Sequence, residues 1–120
     1  MDEIVYGSLI GMAEQVRAGE ISPVELLEAH LARIERLNPK LNAFASVDAE
    51  RARARAKAAE AAVAAPGGKN ALGSLHGVPV TVKSSIDVAG LPCECGSILR
   101  KGYIPETDAP LVARLSCLRS

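Results

Sequence analysis

The residue best suited to chemistry is Lys83, near the end of the short apolar segment Leu75–Ile86. Valines at positions 78, 80 and 82 alternate with Pro79, Thr81 and Lys83. An alternation of period two predicts a β-strand whose successive side chains point to opposite faces. Lys83 would then share a face with Thr81 and Ser85. A lysine buried at the end of such a strand loses the hydration of its charge, and the neutral amine that results can act as a base.

The cysteines are the next candidates for a functional role. The chain has three of them: Cys93, Cys95 and Cys117. Cys93 and Cys95 could form half of a soft-metal site, but no second Cys or His pair follows at a ligand spacing. His30 and His76 lie far from these cysteines in sequence, and His30 fits a helix-surface or partly packed residue better than a ligand. We therefore predict ordinary free thiols. An odd set without a disulfide-framework pattern agrees with a reducing compartment.

Charge does not favour nucleic acid as a partner. The 120 residues carry 14 basic and 14 acidic side chains, so the formal net charge is zero. Basic residues at positions 51, 53, 55 and 57 look like a patch, but a spacing of two distributes them around a helix. Aromatic residues that could stack on bases are almost absent. A solvated, alanine-rich surface helix is the better interpretation.

A membrane location is not expected either. No run approaches the ~20 apolar residues that a membrane-spanning helix needs. The acidic start Met1–Glu3 lacks the basic and apolar regions of a secretory signal. We therefore expect a cytoplasmic protein.

Four helices are expected to surround the lysine segment. The first covers residues 8–18, and the second begins with a capping box, Ser22 with Glu25, and ends at Pro39. The third runs from an Asp48 cap to residue 65, and the last runs from a cap at Thr107 or Asp108 to residue 115. Residues 43–47 could form a short strand, and residues 66–70 a flexible loop. Strands that alternate with helices indicate an α/β layered architecture.

Several stretches of the chain carry a family resemblance. They are Glu20–Leu27, Leu37–Phe44, Gly77–Lys83, Asp87–Pro92, Cys93–Ser97 and Tyr103–Leu115. From about residue 7 to residue 115 the chain closely resembles the N-terminal part of the amidase signature family. The resemblance implies that family's α/β fold, a mixed sheet covered by helices, in incomplete form. It implies one partial domain over 1–120, with N-terminal helices over 7–65, the start of the amidase core over 72–115 and an aberrant tail over 116–120.

The resemblance also implies a mechanism. Members of the family cleave carboxamides with a lysine, a serine held by a cis peptide bond and a nucleophilic serine, and the lysine maps onto Lys83. The neutral lysine accepts a proton from the first serine, which accepts one from the nucleophile, and no metal or organic cofactor is needed. Both serines lie several tens of residues beyond the lysine, whereas this chain stops at Ser120. One departure is Ser84, where many relatives carry an aspartate.

We therefore expect the N-terminal fragment of an amidase, which carries the base without the nucleophile and is silent alone. A self-contained dyad of Lys83 and Ser85 is not assigned, because nothing marks an oxyanion hole. The expected partner is a small-molecule amide in the full-length protein, with no nucleic acid and no membrane, and homo-oligomerisation stays open. Two alternatives remain. One is a component of an amidotransferase complex that works on charged tRNA, ranked second because Asp87–Pro92 looks more like the stand-alone amidases. The other is a non-catalytic truncated fragment.

Overall fold

A computed structural model describes residues 4–118, and its regular elements are helical. Five α-helices follow one another: α1 Leu9–Ala18, α2 Pro23–Leu41, α3 Ala49–Ala64, α4 Gly68–Ala71 and α5 Pro110–Leu118. Two 3₁₀ turns lie at Ile4–Tyr6 and Ile98–Arg100. None of these helices is long and apolar enough to cross a membrane. Within residues 4–118 there is no strand, so the predicted mixed sheet is wrong for this part of the chain.

Local capping signals set the starts of the first three helices. The Ser8 side chain accepts the Gly11 N–H, and Gly19, in the left-handed conformation, caps the C-terminal end of helix α1. Ser22 and Glu25 form the predicted capping box of α2, with Pro23 at the first helical position. The Asp48 carboxylate accepts the Arg51 N–H at the start of α3. The sequence predicted these three starts because each cap uses groups within three residues.

Helix α2 continues past its predicted end. Pro39 lies inside its last turn, and the helix ends at Leu41, followed by the capping residue Asn42 with a left-handed backbone. The Asn42 N–H donates to the Asn38 carbonyl at 2.7 Å. The Asn38 side chain bonds both the N–H and the carbonyl of Phe44. These contacts stabilise the final turn against the disfavoured geometry before a proline.

Other boundaries also differ from the predictions. Residues 43–47 form no strand, and part of the predicted loop 66–70 is the short helix α4. Helix α5 extends through residue 118, three residues beyond its predicted end, while residues 119 and 120 of the predicted tail lie outside the described chain. Hydrogen bonds between distant segments account for the differences at helices α4 and α5. The Arg17 guanidinium donates to the carbonyls of Lys69 and Gly73, and the Leu75 N–H donates to Leu118.

A small core joins helices α1 and α2 to the start of the lysine segment. The buried cluster consists of Met12, Ala13, Val16, Leu26 and Val78. Ile4, Ile21, Val63 and Leu75 pack against it. Val78 is only 2% exposed, so the segment leading to Lys83 starts inside the core. Burial of a valine or leucine side chain contributes about 1.5–3 kcal/mol, so these contacts fix where the segment begins.

Beyond Val78 the segment keeps the predicted alternation of faces without becoming a strand. Val80 and Val82 are half-buried, whereas Thr81, Lys83 and Ser85 are exposed. No backbone N–H from Val80 to Ser85 donates to another group within the described chain. A strand requires a partner whose backbone completes the ladder. Residues 4–118 supply no such partner, and this is why the predicted strand and sheet are not seen.

Gly77 provides a test of this arrangement. Its φ is +74°, and a Cβ atom would lie 2.8 Å from Pro23 Cγ and 2.9 Å from Val16 Cγ1. We expect Gly77→Ala to lower the free energy of unfolding by about 3 kcal/mol, since left-handed strain and overpacking act together. Urea unfolding followed by circular dichroism measures the loss.

Gly67→Ala is the matched control. Gly67 has a similar φ of +72°, but nothing lies within 4 Å of the added Cβ. Its cost should be confined to backbone strain, about 1 kcal/mol. Equal losses in the two variants would show that the packing at Gly77 is not tight.

Candidate functional site

Lys83 begins a tight turn at the surface of the described chain. The Ile86 N–H donates to the Lys83 carbonyl at 2.9 Å, so residues 83–86 reverse direction. Lys83 and Ser85 are exposed, and Ser84 is half-buried. The sequence predicted that Lys83 and Ser85 share a face, and their exposure agrees. The burial expected for a catalytic lysine is not provided by residues 4–118.

The loop 87–105 holds this turn from one side. The Cys95 N–H donates to the Ser84 carbonyl at 3.1 Å, next to Lys83. The same loop is closed on itself, because the Cys93 N–H donates to the Tyr103 carbonyl at 3.0 Å. These bonds connect the turn to a loop whose own ends are fixed. The sequence did not predict these contacts.

Two aspartates connect the loop to the start of helix α5. The Asp108 carboxylate accepts the Ala89 N–H at 2.8 Å. The Ala109 N–H donates to the Asp87 carbonyl at 2.9 Å. Asp108 was predicted as a cap of the last helix, and the structure shows it bonded to the turn around Ala89. The carboxylate therefore links two segments that are 19 residues apart.

Arginines of helix α3 make contacts that the sequence did not predict. Arg51 donates from Nη1 to the Ala89 carbonyl at 2.7 Å, which bonds α3 to the loop. Arg53 pairs with Glu28 of helix α2, with Nε and Oε1 2.6 Å apart. The hydrogen bond from Arg53 lowers the pKa of Glu28. The sequence predicted a solvated face for the basic residues of α3. Arg51 and Arg53 instead join α3 to neighbouring segments.

Cys93 lies in the interior of the loop and is 1% exposed. The Asp87 carboxylate, as hydrogen-bond acceptor, raises the pKa of Cys93, and burial adds to the effect. The pKa rises from 9.0 to about 11. On the other side of Cys93, the Arg100 guanidinium lies 4.3 Å from the centre of the Tyr103 ring and donates from Nε to the Cys93 carbonyl at 3.4 Å.

The two histidines occupy different environments. His30 is half-buried, and its Nδ1 lies 2.8 Å from the Leu26 carbonyl, one turn back along α2. This agrees with the predicted packed helix residue. His76 is 5% exposed, with Nε2 2.9 Å from the Ala59 carbonyl of α3 and Nδ1 without a hydrogen-bond partner among the described groups. The burial of His76 was not predicted, although its position next to Gly77 in a core segment was a signal for it.

Two clefts of the described chain are lined by residues other than Lys83. One of about 460 Å³ lies between residues 46–50 and residues 90–92. Another of about 410 Å³ is lined by residues of helix α1 and its flanks. Lys83 lines neither cleft. The chemistry that residues 4–118 present is therefore an exposed amine beside an exposed hydroxyl, on a turn fixed by the loop.

Known proteins share this segment. Residues 25–118 match the family model described as Amidase. The indoleacetamide hydrolase of Bradyrhizobium diazoefficiens is 43% identical over 108 residues, which cover 90% of this chain and 20% of that protein. A glutamyl-tRNA(Gln) amidotransferase subunit from Anaeromyxobacter dehalogenans is 49% identical over 100 residues, 83% of this chain and 20% of that protein.

A solved structure agrees with the sequence matches. It comes from work on an unexpected vestigial protein complex and the evolutionary origins of an s-triazine catabolic enzyme. The TM-score is 0.82 at 30% identity, over 93% of this chain and 24% of that one. The chain belongs to the amidase signature family. It spans about a fifth of the length of the curated relatives, 20% in the case of the indoleacetamide hydrolase.

The environment of Cys93 predicts a pH dependence of stability. Because the pKa of Cys93 is higher in the folded chain, about 11, than its ordinary 9.0, its contribution is fully present below pH 9.0. The contribution is lost as the pH rises from 9.0 through about 11. Urea midpoints of the wild type minus those of Cys93→Ser, measured across this range, isolate the effect from other titrating groups. A constant difference would contradict the prediction.

The contact between Arg51 and Ala89 predicts a loss of stability on substitution. Arg51→Ala should lower the free energy of unfolding by about 1–2 kcal/mol, because a charge-assisted bond is lost and a half-buried carbonyl is left without its donor. Arg55→Ala, an exposed position on the same helix, is the control and should change stability by less than about 0.5 kcal/mol. Chemical unfolding of both variants provides the comparison. Equal effects would argue against a structural role for Arg51.

Proposed function

We propose that this chain is the N-terminal segment of a hydrolase that cleaves carboxamides, with Lys83 as the base of a Ser–Ser–Lys relay. The observation that carries the proposal is the family match over residues 25–118, which includes Lys83. The 43% identity to an indoleacetamide hydrolase supports an amide substrate. The free cysteines agree with the reducing conditions of the cytoplasm.

The proposed chemistry requires three groups. A neutral Lys83 amine accepts a proton from a first serine, and that serine accepts the proton of a second serine as it attacks the amide carbonyl. Backbone N–H donors stabilise the resulting oxyanion, an effect of about 3 kcal/mol for each donor. Lys83 then returns a proton toward the leaving amine. The two serines belong to the part of an amidase that lies beyond the segment matched here.

Features of residues 4–118 fit a segment that packs against more chain. Ile98 and Leu99 are 91% and 96% exposed, and the backbone donors from Val80 to Ser85 are unpaired. Unpaired backbone groups and exposed apolar side chains favour contact with further protein. Such contact would remove water from around Lys83, and desolvation favours the neutral form of an amine.

A chimaeric enzyme tests the role of Lys83. Residues 25–118 of this chain replace the matched segment of the Bradyrhizobium diazoefficiens indoleacetamide hydrolase. Lys83→Ala should lower kcat about 10²–10⁴-fold, as expected for loss of a general base. Lys101→Ala, an exposed lysine in the loop, should leave kcat unchanged. Hydrolysis of indoleacetamide provides the measurement.

The outcomes separate the proposal from its alternatives. A chimaera that retains full activity after Lys83→Ala contradicts the assignment of the base. The 120-residue chain assayed alone should be silent toward simple carboxamides. Turnover by that chain that disappears with Lys83→Ala would contradict the division of the relay between two segments.

A second candidate function is that of one component of a tRNA-dependent amidotransferase. It is favoured by the 49% identity to the Anaeromyxobacter dehalogenans amidotransferase protein. Such a protein acts within a complex, so partner proteins would be required. Affinity purification of the intact protein from its own cells distinguishes the candidates. A stable heteromeric complex that amidates charged tRNA would reverse their order, and a free amidase would support the first.

A further inference from the structure

A buried histidine that the proposed hydrolysis does not use lies at the start of the lysine segment. His76 is 5% exposed, and its Nε2 lies 2.9 Å from the carbonyl of Ala59, inside helix α3. Because a carbonyl oxygen only accepts, Nε2 carries the hydrogen and donates it. We propose that His76 is a positioning residue, whose bond to Ala59 fixes the turn from which the chain extends to Lys83.

The backbone at His76 belongs to two overlapping turns. The His76 N–H donates to the Gly73 carbonyl at 3.1 Å, and the Val78 N–H donates to the Leu75 carbonyl at 3.2 Å. A single hydrogen bond of this kind contributes little net stability in water. The His76 side chain adds a bond to a helix of 16 residues, so both turns take their orientation from α3.

Helix α3 packs on the core beside the carbonyl that accepts this bond. Ala56 is buried, and Val63 packs against the core cluster. These two residues lie three and four positions from Ala59, the spacing of neighbours on one helix face. The imidazole is therefore bonded to the face of α3 that packs on the core.

Stability alone does not account for a histidine at this position. Its Nδ1 is buried without a hydrogen-bond partner among the described groups, which costs free energy. The Ala59 carbonyl does not depend on His76, because a carbonyl inside a helix also accepts the N–H four residues further on. An apolar side chain of similar size would fill the space without the unpartnered nitrogen. It could not direct a bond to α3.

The orientation of these turns matters for Lys83 because few contacts hold the residues between them. Val78 belongs to the buried cluster, and no backbone N–H of residues 80–85 donates within the described chain. A shift at residues 76–78 therefore has to be absorbed between Val78 and Ser84, where Lys83 lies. Misplacement of a reacting group by about 1 Å can lower a rate up to about 100-fold. This consequence for catalysis rests on the proposed function.

Three substitutions separate the bond from burial and polarity. His76→Leu removes the donor and keeps an apolar side chain in the buried site. His76→Gln places an amide nitrogen where Nε2 lies, whereas the shorter side chain of His76→Asn places one near Nδ1. The urea midpoint of His76→Leu should stay within about 0.5 M of the wild type, because the lost bond is offset by removal of the unpartnered nitrogen. Circular dichroism checks the helical content of each variant.

Amide hydrogen exchange on the 120-residue chain tests the positioning directly. In His76→Leu and His76→Asn, the amides of residues 76 and 78 should exchange about 5-fold faster than in the wild type. The amides of helix α2 should keep their rates, since the opening is local. His76→Gln should restore slow exchange at residues 76 and 78. If His76→Leu fails to fold, the comparison of His76→Gln with His76→Asn decides the test.

The chimaeric indoleacetamide hydrolase tests the consequence for catalysis. His76→Leu and His76→Asn should lower kcat about 10-fold and change KM less than about 2-fold, since the base is displaced while substrate binding is kept. His76→Gln should keep kcat within about 2-fold of the unsubstituted chimaera. Lys83→Ala in the same chimaera reports separately on the proposed function.

Three results would overturn the positioning role. The first is unchanged exchange at residues 76 and 78 in His76→Leu, whatever the chimaera does. The second is equal behaviour of His76→Gln and His76→Asn, because the reach of the donor would then be irrelevant. The third is faster exchange throughout the chain, helix α2 included, which would assign His76 to stability alone. If Lys83→Ala leaves the chimaera active, the proposed function fails, and the exchange rates still decide the role of His76.

Discussion

The close approach of Gly77 to helices α1 and α2 determines where the candidate lysine can lie. No side chain fits between Gly77 and the neighbouring atoms of Val16 and Pro23, and the next residue, Val78, fills the core. The five residues that follow Val78 can carry Lys83 at most about 18 Å from it, the reach of a fully extended chain. The core contact therefore fixes the origin of the segment. The far end needs a second support, and the loop 87–105 provides it through the bond between Ser84 and Cys95.

The second support combines backbone hydrogen bonds with polar side chains that bond backbone groups. Asp108 and Arg51 bond the N–H and the carbonyl of Ala89, and Glu94 accepts the Gly102 N–H at 2.7 Å. Each contact satisfies a peptide group that irregular structure leaves without a partner. The buried apolar cluster consists of residues of helices α1 and α2 with Val78, whereas the loop carries many of these hydrogen bonds. Removal of one such side chain would leave a peptide group without its donor or acceptor.

The sequence predicted the features that short-range interactions determine. The predicted caps at Ser22 and Asp48 involve residues at most three apart, and the alternation of faces up to Lys83 follows from backbone geometry alone. The predicted sheet was wrong for the described chain, since pairing requires a second strand that residues 4–118 do not contain. The bond between Arg51 and Ala89 spans 38 residues. Neither the composition of the chain nor the spacing of its apolar residues indicates such a pair. In the sequence, Arg51 resembles an ordinary surface residue.

The chemistry proposed for Lys83 places a physical requirement on its surroundings. A protonated amine has no lone pair with which to accept a proton, and amines exposed to water are largely protonated near neutral pH. Residues 4–118 leave the Lys83 side chain exposed and the backbone donors from Val80 to Ser85 unpaired. In the proposed enzyme, the groups that pair these donors also have to exclude water from the amine. The proposed role of Lys83 therefore rests on family membership rather than on local geometry.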